Sequence, residues 1–164
     1  MNKILADMHT HTIASGHAYA TLTEMCKEAA NKGLEIYGIT EHSSGIPGTC
    51  ADIYFQNLRV VPRDLFGLDL RLGAEINIID YNGTLDFDQK YIDRLDFVIA
   101  GIHSVCYKFG SKEENTAAII NAIKNPNVNI ISHPDDGRCP LDYEALVQAA
   151  KEYHVLLEIN NNAL

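Results

Sequence analysis

Apolar residues along the chain gather into short runs: Ile4-Leu5-Ala6, Ile36-Tyr37-Gly38-Ile39, Leu70-Arg71-Leu72-Gly73-Ala74, Phe97-Val98-Ile99-Ala100-Gly101-Ile102 and Val128-Asn129-Ile130-Ile131. Near-continuous apolar runs of this length predict strands of a parallel sheet, buried on both faces. A sixth, Val155-Leu156-Leu157-Glu158-Ile159, ends at Asn160-Asn161-Asn162 with no helix after it. The stretches between have helical spacing. Thr21-x-x-Glu24 forms a capping box, Leu22, Met25, Cys26 and Ala29 give the i, i+3, i+4, i+7 stripe, and Gly33 suits the stop. Ser111-x-x-Glu114 opens a second helix running to Ile123 and closed by Pro126, and Asp142 caps a third in which Leu146, Val147 and Ala150 share a face. The alternation predicts an α/β fold whose helices cover the sheet, with Leu22, Met25, Ala29, Leu146 and Val147 in the core.

Two stretches interrupt it. Between Ile76 and Phe87, Asn82-Gly83 lies among alternating residues and predicts a hairpin extending the third strand. From Ser43 to Phe66, with Pro47, Gly48 and Pro62, an irregular excursion is expected, of the kind that carries substrate contacts at the catalytic end of barrels.

At 164 residues, with 46% apolar and 21% charged residues, the expectation is one domain, 1–164, with a sizeable core. No run approaches the roughly 18 to 20 apolar residues of a membrane span, and the N-terminus turns polar at Asp7, too early for a signal peptide, so a cytoplasmic chain with no membrane partner is expected. Cys26, Cys50, Cys106 and Cys139 form no Cys-x-x-Cys pair and read as reduced thiols. A net charge of −9 argues against a nucleic-acid surface. It does not exclude an anionic substrate, because bound divalent cations make a site locally positive.

Candidate chemistry lies where the runs end. His9 and His11, His42, Glu75, His103 and His133 each follow one, and the steps from His11 to His42, Glu75, His103 and His133 are 31, 33, 28 and 30 residues. That is about the length of one strand-plus-helix unit, and active sites of βα barrels collect at the strands' C-terminal ends. Strand alternation would turn Asp7, His9 and His11 to one side. Asp7 and Glu41 are then expected to accept a ring N–H from a ligand and fix its tautomer. His17 follows Gly16, which lets the backbone turn the ring back toward the strand ends. Imidazoles with a carboxylate suit zinc, manganese or iron better than calcium or magnesium. His154 begins a strand at the opposite end and is excluded. His103-x-x-Cys106 is a weak chelate, since Cys106 falls in a polar loop.

The strings Asp7-Met8-His9-Thr10-His11-Thr12, His17-Ala18-Tyr19, Ile39-Thr40-Glu41-His42, Gly73-Ala74-Glu75-Ile76-Asn77, Ala100-Gly101-Ile102-His103 and Ile131-Ser132-His133-Pro134 together resemble the PHP (polymerase and histidinol phosphatase) superfamily, and within it the YcdX-like phosphatase subgroup. The likeness runs from about Lys3 to Asn161. It implies a distorted (β/α)7 barrel, here with about six βα units, and two or three divalent metal ions, zinc first, with manganese or iron as alternatives. By motif, His9, His11 and Glu75 would hold one ion, Glu75, His103 and His133 a second, and His17 and His42 a third. The resemblance also implies hydrolysis of a small phosphorylated substrate by a hydroxide bridging the metals, with Glu75 as the bridging catalytic carboxylate. Arg59-Val60-Val61-Pro62-Arg63 resembles the subgroup's Arg-rich loop, making Arg59 and Arg63 the expected phosphate contacts.

Two departures stand out. The family's final Gly-x-Asp-x-His is not found, and Glu41 replaces the usual Asp. The first leaves three readings: a complete phosphatase, a metal-binding PHP domain without catalysis, or part of a longer enzyme. It also predicts an open barrel edge suited to pairing with a second copy. Amidohydrolase chemistry ranks below these, because that family's modified Lys has no counterpart where His103 stands.

Overall fold

The computed structural model describes residues 4–160. Six strands run in the sheet in the order of the chain: β1 (Ala6–Asp7), β2 (Ile36–His42), β3 (Asp69–Asn77), β4 (Phe97–Gly101), β5 (Ile130–Ile131) and β6 (Leu156–Leu157). The helices are α1 (Leu22–Asn31), α2 (Ile53–Asn57), α3 (Gln89–Ile92), α4 (Lys112–Ile123) and α5 (Tyr143–Tyr153). Pairing is parallel where β1 meets β2, with Ala6 opposite Ile36, and where β5 meets β4 and β6, with Ile130 opposite Ile99 and Leu156. The expected α/β class is therefore found. The expected residues Asn161 and Asn162 lie outside the described part of the chain.

Two compact units divide the chain: Met1–Ala74 with Asp88–Phe97, and Glu75–Phe87 with Val98–Leu164. In the first, Thr21 caps α1 with both halves of the capping box in place, and Gly33 closes it at φ 76°. The two hydrogen bonds from Thr21 hold the Glu24 carboxyl below its ordinary range. Cys26 and Ala29 turn inward from α1 to meet a core of Tyr37, Ile39, Phe55, Leu58, Leu68, Leu70 and Leu72, while Leu22 and Met25 remain half-buried. The segment expected to be irregular, Ser43 to Phe66, contains α2 and a 3-10 turn at Leu58–Val60. Phe55 and Leu58 explain this, since a buried apolar side chain of that size contributes about 1.5–3 kcal/mol and fixes an otherwise loop-like sequence.

In the second unit, Ile76 and Ile78 of the β3 end join Val98, Ile99, Ala100 and Ile131 in a core. α4 and α5 pack on each other through buried residues that include Ala118, Ile119, Ala122, Leu146 and Ala150. Ser111 supplies a complete capping box to α4, and Asp142 caps α5 by accepting the Ala145 N–H at 3.1 Å. Val147 corrects the sequence reading: it is 57% exposed, because α5 buries a narrower stripe than the apolar spacing implies. The expected hairpin is present, with Gly83 at φ 78°, Asp80 accepting from the backbone of Asn82 and Thr84, and an antiparallel bridge between Ile78 and Leu85.

Strand limits also differ from those expected. β1 holds only Ala6 and Asp7, so His9 and His11 follow the strand and do not belong to it. Glu75, expected at a strand end, lies inside β3 two residues before its last position. β5 and β6 are two residues each, shorter than their apolar runs.

Candidate metal centre

Four imidazoles gather in the first unit. After β1 the chain passes His9 and His11 and enters a 3-10 turn, Ile13–Ser15, whose N-cap Thr12 accepts the Ala14 N–H at 3.2 Å. Gly16 ends that turn at φ 76°, where a Cβ would come within 2.2 Å of the Gly48 carbonyl oxygen. Only glycine fits there, and the reversal delivers His17. His42 arrives from the last position of β2. The rings of His11 and His42 stack at 4.4 Å between centroids, with His17 at 4.9 Å from His11 and 5.0 Å from His42. One ring nitrogen from each of the three lies within 4.8 Å of the others. The Nε2 atoms of His9 and His11 are 3.2 Å apart.

Behind the rings lies a buried carboxylate. Glu41 is fully buried and accepts from the Thr12 N–H at 3.2 and 3.1 Å, from the Thr12 hydroxyl at 2.5 Å and from the Ser15 hydroxyl. The Tyr54 hydroxyl adds a longer contact at 3.4 Å. Ser15 spends its proton on Glu41, so its oxygen accepts from the backbone N–H of His42 at 3.2 Å and from His11 Nδ1 at 3.0 Å. Glu41, expected to accept a ring N–H, accepts instead from Ser15, whose oxygen meets His11 Nδ1; Ser15 is a residue the sequence reading missed. Asp7, expected in the same role, accepts the backbone N–H of His9 at 3.3 Å. Burial and the negative charge of Glu41 push the Tyr54 phenol far above its ordinary pKa.

A second cluster stands in the second unit. Glu75 Oε1 is 3.0 Å from His133 Nε2 and 3.2 Å from His103 Nε2, and the two nitrogens are 3.2 Å apart. Ligand atoms at 2.0–2.2 Å from a tetrahedral zinc are separated by about 3.3 Å, so the three donors fit one ion with a fourth position left over. Glu75 is 1% exposed, which places the carboxylate in surroundings where an uncompensated charge is costly. His133 adopts φ 32°, a backbone strain of the kind that collects at functional sites, and its N–H is held by Glu158 at 2.7 Å. His103 Nδ1 meets Asn77 Oδ1 at 2.7 Å. Neither Glu158 nor Asn77 was singled out as a supporting group from the sequence, since no motif links them to the histidines they touch.

The two arginines have different surroundings. Arg63 donates Nε to Asp96 at 2.8 Å and Nη1 to the carbonyls of Leu58 and Val61, at 3.1 and 2.8 Å. Arg59 is exposed and lines a cleft of about 560 Å³ with Cys50, Tyr54, Gln56 and Asn57. That cleft adjoins the imidazole loops: Thr49 donates to the His42 carbonyl at 2.8 Å, and the Cys50 N–H to Ala14 at 2.8 Å. None of the four cysteines is disulfide-bonded, and Cys106 joins none of the potential metal groups among the described residues.

The PHP domain model matches residues 7–162. The chain belongs to the PHP domain family. A protein named "Probable phosphatase" from Acetivibrio thermocellus is 48% identical over 161 residues, covering 98% of this chain and 67% of that protein. One of the same name from Caldicellulosiruptor saccharolyticus is 50% identical over 155 residues, covering 94% of this chain and 65% of its own. The PHP chain thus spans about two thirds of the length of these curated relatives. In fold it is similar to the histidinol phosphate phosphatase of Lactococcus lactis subsp. lactis Il1403, solved in complex with zinc, L-histidinol and phosphate. The TM-score is 0.60 at 21% identity, over 94% of this chain and 72% of that one. Among the described residues of this PHP chain, no helix is long and apolar enough to cross a membrane.

Proposed function

We propose that the chain acts as a metal-dependent phosphatase on small phosphomonoesters. The observation that carries this reading is the Glu75-His103-His133 trio, whose three donor atoms stand 3.0–3.2 Å apart, the spacing of a tetrahedral zinc shell with one position to spare. The relatives named probable phosphatases, and a neighbour that holds zinc and phosphate, support it. Bound divalent ions would supply a nucleophilic water at neutral pH and neutralise phosphoryl charge.

The chain's own residues do the rest. Glu75 and the histidines fix the ions' positions, with Glu75 the carboxylate shared between two of them. The stack of His11 and His42, with His17, serves an additional ion. Arg59, at the edge of its cleft, contacts the phosphoryl oxygens, and a guanidinium suits that fork geometry. Arg63 is proposed as a second such contact, one it can make only by exchanging Asp96 for the phosphate. Zinc or manganese is proposed as the resident metal, ahead of iron.

The test is turnover of p-nitrophenyl phosphate with zinc or manganese added. Activity that falls at least 100-fold in Glu75→Gln, with KM raised by Arg59→Ala, supports the proposal. Tight metal binding without turnover of this or any other phosphomonoester would replace it with a binding-only PHP domain.

A further inference from the structure

The geometry points to Asp86 as a positioning residue that acts through Asn77 to decide which nitrogen of His103 is free to bind metal. This rests on the trio's being a metal site. Asn77 is the last residue of β3 and is fully buried, and Asp86 faces it across the hairpin. Asp86 donates its backbone N–H to the Asn77 carbonyl at 3.1 Å, and its carboxylate accepts the Asn77 N–H at 2.8 Å and the Asn77 Nδ2 at 2.6 Å.

The direction of each bond follows from what the groups can do. A carboxylate only accepts, so the amide NH₂ of Asn77 must face Asp86 and its carbonyl must face His103. A carbonyl also only accepts, so the His103 Nδ1 lying 2.7 Å away carries the hydrogen. A neutral imidazole protonated at Nδ1 keeps its lone pair on Nε2, the nitrogen 3.2 Å from Glu75 Oε1 and from His133 Nε2. The polarity of the whole chain is therefore set at its far end. Asp86→Asn keeps the shape but removes the constraint: the two amides can turn over together, Asn77 then donates to Nδ1, and the imidazole hydrogen moves to Nε2, where it blocks coordination.

Nitrogen-15 NMR of histidine-labelled, metal-free protein at pH 8 reads the tautomer directly, with His103→Gln assigning the signal. The wild-type chain is expected to show His103 protonated at Nδ1. Asp86→Asn is expected to move the hydrogen to Nε2 and weaken zinc binding about 10- to 100-fold. The double variant Asn77→Asp with Asp86→Asn should restore both, because the carboxylate then meets His103 and the amide stands behind it.

A wild-type Nε2 hydrogen overturns the inference without any variant. So does an unchanged tautomer in Asp86→Asn, or a folded double variant that fails to restore it. If the tautomer follows the variants while zinc does not bind, the relay stands and the metal reading of the trio falls.

Discussion

Replacing Glu41 by alanine tests the foundation of the imidazole cluster. The carboxylate is fully buried, as nearly are its partners Thr12 and Ser15, at 2% and 1% exposure. It accepts the Thr12 N–H at 3.1 Å, the Thr12 hydroxyl at 2.5 Å and the Ser15 hydroxyl, with Tyr54 at 3.4 Å as a marginal fourth. Each buried donor left without an acceptor costs about 1–3 kcal/mol. The Thr12 hydroxyl can rotate to another acceptor, which leaves the Thr12 N–H and the Ser15 hydroxyl, so Glu41→Ala should cost about 2–5 kcal/mol after partial relief by entering water. In a chain of this size that lowers Tm by on the order of 10 °C. Glu41→Gln retains one carbonyl acceptor and should fall between Ala and wild type, while Tyr54→Phe should cost less than about 1 kcal/mol, given the length of its contact. Urea denaturation of the metal-free protein, with m compared across the set, measures all three. A Glu41→Ala loss below about 1 kcal/mol, or a Tyr54→Phe loss equal to it, would refute the claim that this carboxylate organises the loop.

Three further outcomes are expected. Burial pushes the Cys50 and Cys139 thiols up to about 11, so iodoacetamide should label them slowly at pH 8. The unfolded chain ionises these thiols first as pH rises, so their contribution to stability, intact below the ordinary thiol pKa near 8.5, is lost between there and 11; pH-dependent denaturation checks the sign. His154 ends α5 at φ 58°, a left-handed position that glycine occupies at lower cost, so His154→Gly should stabilise by up to about 1 kcal/mol in thermal melts. Leu146→Ala should cost about 2–5 kcal/mol and Val147→Ala under about 0.5, because the first is fully buried and the second 57% exposed.

Much of this was legible in the chain. The capping boxes at Thr21 and Ser111, the Asp142 cap and the Asn82-Gly83 turn are local, carried by residues within a few positions of each other, and each is found as expected. That histidines gather in each cluster was legible from their place at the ends of the apolar runs. Less legible was how they are delivered. His9 and His11 follow β1 and do not alternate along it, His17 is delivered by a 3-10 turn and a glycine reversal, and Glu75 sits within β3. The supporting groups were invisible for a different reason. Ser15 meets Glu41 across 26 positions, Asn77 meets His103 across 26 and Glu158 meets His133 across 25, and serine, asparagine and glutamate are common enough that only the fold singles them out. Val147 misled because an apolar residue one place from a buried stripe satisfies the same spacing.

The central claim is that the imidazole cluster and the Glu75 trio each hold a divalent ion. Elemental analysis of zinc-loaded, desalted protein addresses it most directly. At least two ions per chain are expected, with one lost in His103→Ala and at least one in Glu75→Gln. One ion or none in the wild-type chain, or an unchanged content in Glu75→Gln, would contradict it.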